Sequence, residues 1–228
     1  MKVPNCAAGE PYPLRIRFIK KVALLSCAAC AGLAALTWLW TLEPFRSVLL
    51  RPSLHSFYLY SVVALGLLIV SRKASVWVQL ICFLICFPTW SAVAATACMS
   101  ASGSNTASAA AALYAAWVIG MAAYTALCGK DYSHVGSCVL VSLWLIAAAV
   151  SIHFAFSLSA AQAVLLTAGF LGVNLYWHYD LAMILQRRAI NEAPAAVFDL
   201  FRDVLNCVSY PVRVYRYQKE RPRVQLRW

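Results

Sequence analysis

Acidic side chains are scarce in this chain. Eight aspartates and glutamates stand against 19 lysines and arginines in 228 residues, a net charge of +11. Charged residues of both signs make up only 12% of the sequence and hydrophobic residues 63%. A soluble domain of this length carries about twice that share of charge and far less apolar surface. Enzyme motifs are missing as well. No Ser/His/Asp set, no HExxH and no glycine-rich phosphate loop occurs, so no catalytic function is expected. The apolar runs lack period-2 alternation, which argues against a membrane barrel and leaves helices. The basic excess has no folded soluble face to sit on, so nucleic acid is not an expected partner.

What is present is a series of long Leu/Ala/Val-rich runs, with a mean hydropathy of +0.72. About 20 apolar residues cross a bilayer as a helix. The runs place spans at 22–42, 54–71, 75–97, 107–128, 135–157, 162–185 and 195–215. Pro88 lies inside the third and predicts a kink, while the small residues of the fourth allow close helix approach. The expected architecture is an all-α membrane protein of about seven transmembrane helices. A cytosolic N-terminal segment (1–21) precedes the bundle (22–215), and a basic tail (216–228) follows it. The first run is too long for a cleavable signal and is read as a retained span. Lysines and arginines before span one and after spans two, four and six put those segments in the cytosol. A full crossing by the last helix would carry the basic tail outside, against that rule, and its topology stays open.

Nine cysteines are spread mainly through the apolar runs. Cys27 and Cys30 form a CxxC on a membrane helix with no histidine or acid beside them, so packing is the expected role.

The acids that do occur in the C-terminal third are conspicuous. Asp180 ends span six, and Asp199 and Asp203 lie on the last helix. Ionisable residues inside a bilayer are costly and need a partner. Asp199, Asp203, Asn206 and Tyr210 share one helical face. That stripe requires the last helix to lie in the bundle interior, beside a wet cavity, or shallow in the interface. Asp180 and Asp203 are natural partners for each other. Two adjoining carboxylates titrate as a unit and can share a proton. The plainer alternative makes Asp180 an interfacial acid beside Arg187 and Arg188. Asp131, next to Lys130, reads as a turn or cap residue. His153 and His178 read as hydrogen-bonded interior residues, and Asn174 and Asn206 as helix–helix hydrogen-bonding residues.

Four strings carry a resemblance. Arg17-Phe18-Ile19-Lys20-Lys21-Val22 leads into span one. Gly129-Lys130-Asp131-Tyr132-Ser133-His134-Val135-Gly136 follows span four and is similar to a T-K-x-D-F-S-x-x-G loop. Tyr179-Asp180 ends span six, as in Y-D-T-Q. Leu200-Phe201-Arg202-Asp203-Val204-Leu205-Asn206 is similar to L-Y-L-D-I-I-N. In this order and spacing they resemble the transmembrane Bax inhibitor motif family. Leu181 and Ala182 replace the Thr and Gln after the first aspartate, and the P-x-N after span two is missing. Such departures resemble a viral, cytomegalovirus-type branch.

The resemblance implies a seven-helix fold with a central last helix. It implies a pH-sensitive calcium-leak channel of intracellular membranes that suppresses apoptosis, with Asp180 and Asp203 as the proton-sensing pair. Those two would also meet calcium transiently as the permeant ion, with no cofactor. Asp199, Asn206 and Arg72 would be pore-lining or latch partners. The expected location is the endoplasmic reticulum or Golgi, or the plasma membrane, and a host membrane for a viral member. Expected partners are membrane lipid, calcium, and host membrane proteins or further copies of the chain. The competing reading is a non-conducting viral membrane adaptor that modulates host cell-surface proteins or cell-death and immune signalling. Intramembrane aspartyl hydrolases also use a Y-D motif, but Arg202-Asp203 lacks the glycines of their second motif.

Overall fold

A computed structural model describes residues 6–50, 76–100 and 105–201, together with positions 59, 62, 63 and 66. Every regular element among the described residues is helical. A 3-10 turn, Ala7–Gly9, precedes α1 (Tyr12–Thr41) and the short α2 (Phe45–Leu50). Then come α3 (Val76–Ser100), α4 (Asn105–Leu127), α5 (His134–Ala155) and α6 (Ala160–Arg187). Helix α7 begins at 193 and is described to 201. Most of the second expected span lies outside the described residues; positions 59, 62, 63 and 66 within it are helical.

Local chemistry sets the helix ends. Pro13 occupies the first turn of α1, where no backbone donor is lost. Gly129 takes a left-handed φ of 62° just past α4, a conformation that costs glycine nothing. The Ser133 hydroxyl accepts the Gly136 N–H and caps α5. Ser159 and Gln162 close a reciprocal capping box on α6, which satisfies two orphan donors at once. Helix α3 runs through Pro88. The Ser91 hydroxyl donates to the Pro88 carbonyl at 2.8 Å, and Trp40 of α1 donates its indole N–H to that same hydroxyl at 2.9 Å.

Helices α4, α5 and α6 pack in succession, and α1 lies against α3, α4 and α6. One core cluster joins Phe18, Val22 and Cys27 of α1 with Leu113 and Trp117 of α4, Leu145 of α5 and Leu181 of α6. It also contains Ala193, Ala196, Val197, Leu200 and Phe201 of α7. The opposite faces expose Leu143, Val150, Phe154, Leu165 and Leu175. Helices with that pattern bury one stripe in the bundle and give the rest to lipid. Four described helices are long and apolar enough to cross a membrane: α1, α4, α5 and α6. Leu84–Thr96 of α3 forms a shorter apolar stretch. The protein is an all-α, multi-pass membrane protein, as the composition predicts.

One detail differs from the sequence expectation and a second narrows it. Helix α1 starts at Tyr12, ten positions before the apolar run begins at 22, and so carries its basic turns beyond that run. The first turns of α7 are enclosed almost all round: Ala196, Val197, Phe198, Asp199, Leu200 and Phe201 are all buried. For these described turns the placement is the bundle interior; Asp203, Asn206 and Tyr210 of the polar stripe lie outside the described residues. Phe201 packs against Phe87 and Trp90 of α3 and Trp177 of α6, with ring centroids 5.8–6.1 Å apart.

Close helix approach shows at one point. A Cβ on Gly120 of α4 would come within 2.7 Å of the Trp144 ring of α5. That indole donates to the Ala116 carbonyl at 2.8 Å. Gly120→Ala is expected to displace the ring, break the bond and cost about 1–2 kcal/mol, read as a lower melting temperature in detergent. Gly169→Ala, where nothing lies within 4 Å, is the control and should not lower it.

Candidate functional site

The end of α6, the loop after it and the start of α7 carry the buried charges. Trp177, Asp180, Leu181 and Ile184 lie on the inward stripe of α6. Asp180 is 4% exposed and Asp199 of α7 is 3% exposed. Buried carboxylates are rare unless their charge is met. For Asp199 it is met by Arg188, whose Nε donates to Oδ2 at 2.6 Å. That hydrogen bond is the largest cause raising the Arg188 pKa above its ordinary value, so the guanidinium stays charged. Glu192 closes the loop: its Oε2 accepts the Ala189 N–H at 3.2 Å and lies 3.9 Å from Arg188 Nη1. The chain thus turns from α6 into α7 around one arginine, with the α7 carboxylate drawn back to the loop.

A second polar chain lies deeper, between α4, α5 and α6. Asn174 is fully buried. Its Oδ1 accepts the Trp117 indole N–H at 3.2 Å, and its Nδ2 donates to Ser142 Oγ at 3.0 Å and the Cys138 carbonyl at 3.2 Å. His178 follows one turn later. Its Nδ1 lies 2.8 Å from the Asn174 carbonyl and its Nε2 2.7 Å from Ser137 Oγ. A carbonyl only accepts, so Nδ1 carries the proton and Nε2 accepts from Ser137 in the neutral ring. Tyr132 donates to Ser137 Oγ at 3.4 Å. Burial pushes that phenol up to about 12, so it remains a donor. The expected interior roles of Asn174 and His178 fit this network.

Of the residues singled out by sequence, Asp180 and Asp199 are buried in the bundle, and Asp199 is paired with Arg188. Asp203, Asn206 and Arg72 lie outside the described residues, and with them the expected pairing of Asp180 with Asp203. Asp131 is exposed and accepts the Tyr12 hydroxyl at 3.3 Å, a tie between segments rather than a simple cap. Sequence reasoning offered Arg187 and Arg188 to Asp180 and missed the bond of Arg188 to Asp199. The available signal was a buried acid 11 positions after a basic pair, with a loop short enough to fold back. Among the described residues no group of three or more His, Cys, Asp or Glu is placed to hold a metal ion.

The family model described as "Inhibitor of apoptosis-promoting Bax1" matches residues 15–217. The chain belongs to this family. The match runs from the basic turns of α1 through both aspartate-bearing helices, so the site lies wholly within it. No curated protein and no solved structure matches the chain. Membership in this Bax inhibitor family, with the membrane-spanning helices, makes it an anti-apoptotic type of multi-pass membrane protein.

The Arg188–Asp199 pair has a measurable signature. Arg188→Met leaves a buried carboxylate without its cation and is expected to cost about 3 kcal/mol. That is the lower end for buried pairs, because 21% of the arginine side chain remains exposed. The double variant Arg188→Met/Asp199→Leu should regain most of the loss. A double-mutant cycle of unfolding free energies in detergent measures both.

Proposed function

We propose that this Bax inhibitor family member is a pH-sensitive calcium-leak pathway of intracellular membranes that lowers store calcium and so opposes apoptosis. The observation that carries the reading is the burial of Asp180 on α6 in a bundle that also encloses the first turns of α7. Oxygen ligands suit calcium, and a carboxylate at this depth is retained at a cost that a passive scaffold need not bear. In this mechanism Asp180 and Asp203 share one proton, which latches α7 to α6. Loss of the proton leaves two adjoining anions, which repel each other and attract a cation. The latch loosens and calcium passes. The Arg188–Asp199 pair keeps the entry of α7 in place while the turns beyond it respond. The membrane is expected to be endoplasmic reticulum or Golgi.

The sign follows directly. The proton holds the closed form, so leak rises with pH through the range in which the shared proton dissociates. Asp180→Asn and Asp203→Asn each remove the shared site and should flatten the pH response. At the pH of greatest difference the leak should change by roughly tenfold, the scale of a coupling free energy of about 1.4 kcal/mol. Calcium efflux from loaded liposomes, followed with an entrapped indicator across a pH series, measures it. An unchanged efflux and pH profile in both variants would remove the channel reading and leave the non-conducting adaptor.

A further inference from the structure

The N-terminal segment is tied to loops far along the chain. Lys20 Nζ donates to the Gly129 carbonyl at 2.8 Å, and the Tyr12 hydroxyl to Asp131 at 3.3 Å. These two contacts hold the start of α1 to the loop between α4 and α5. A third contact is different in kind. The Ala7 backbone N–H donates to the Arg188 carbonyl at 2.8 Å. Ala7 is 0% exposed and belongs to the core cluster that includes Ala193, Ala196 and Leu200 of α7. The segment around it is no extension of α1. Cys6, Glu10 and Pro11 all have ψ between 143° and 159°, so extended backbone flanks the 3-10 turn on both sides.

Arg188 is therefore gripped at both ends. Its carbonyl accepts from the N-terminal segment, and its guanidinium binds Asp199 of α7. Whatever holds the Arg188 backbone also fixes where the last helix is anchored. We propose that residues 6–11 form a strap that locks the α6–α7 loop and holds α7 in its enclosed position, and that detachment of this strap is a control on the last helix. The means of attachment suits a control. Among the described residues, one backbone hydrogen bond joins the turn to the loop and Ala7 is its one buried side chain, whereas α1 is held by a whole buried stripe. Few buried contacts mark a segment that opens locally without global unfolding. The Tyr12 and Lys20 contacts stay with α1 when the strap lifts, so the effect is confined to the loop that carries Arg188.

That the strap governs conduction rests on the proposed leak function; that it holds α7 does not. Amide hydrogen exchange separates the two. In the otherwise full chain, deletion of residues 2–10 should speed exchange over 189–201 by about tenfold, the worth of a hydrogen bond and its local packing. Ala7→Gly, which keeps the N–H and loses the methyl, should give about fourfold. Exchange in α5 and the 128–133 loop should stay as in the intact chain. Unchanged exchange over 189–201 in both variants would overturn the strap. So would a rise spread equally over α5, which would make the segment a general part of the fold. Calcium efflux is then read on the same samples. Faster exchange with severalfold greater efflux supports the strap as a gate control. Faster exchange with no efflux in any sample leaves the strap standing and removes the leak reading.

Discussion

A carboxylate can enter the interior of a membrane bundle only if its charge is met there, and Asp199 enters with Arg188 at 2.6 Å. The arrangement around it follows from that constraint. The loop after α6 must be short enough for Arg188 to reach back, and Glu192 folds it by accepting the Ala189 N–H. The first turns of α7 can then be apolar on their other faces. Phe201 fits among Phe87, Trp90 and Trp177, edge-to-face on Phe87 and Trp177, where each such pair is worth about 0.5–1.5 kcal/mol. Arg188 thus meets the charge that would otherwise oppose enclosing the first turns of α7.

Hydrophobic burial alone cannot hold such helices together, since lipid tails are as apolar as leucine. Packing of small residues and interhelical hydrogen bonds take over, each bond averaging about 0.6 kcal/mol in membranes. Both devices are present here. Gly120 lets Trp144 lie against α4 with its N–H on a backbone carbonyl. Asn174 joins α4, α5 and its own helix α6 through both ends of its amide. His178 extends the chain to Ser137 and Tyr132.

Much of this was legible from residue order. Hydropathy located the described spans within a few positions, because in a bilayer the length of an apolar run is itself the structural signal. The difference at α1 has a physical cause: Tyr12 to Lys21 has helix-forming residues and a proline in the first turn, so the helix continues beyond its apolar part. The grouping of the N-terminal segment with the loops after α4 and α6 agrees with the lysine and arginine distribution, and Lys20–Gly129 and Ala7–Arg188 are its contacts. Asn174 and Asp180 were legible as polar exceptions on apolar helices. Their surroundings were not. Which arginine reaches Asp199, or that Ser137 meets His178 from 41 positions away, depends on tertiary packing that has no local pattern. The short helix Phe45–Leu50 escaped notice because it is too brief to leave a periodicity.

The amide of Asn174 has a mechanical consequence. Its oxygen and nitrogen are both engaged, on partners in two neighbouring helices. Separating any one of the three would strand a donor or an acceptor in a place that water does not reach. Helices α4, α5 and α6 are thereby bound to one another, and pulling any of them away alone carries that cost. The first turns of α7 stand outside that trio and are tied to the loop after α6 by Arg188 and to the core by Leu200 and Phe201.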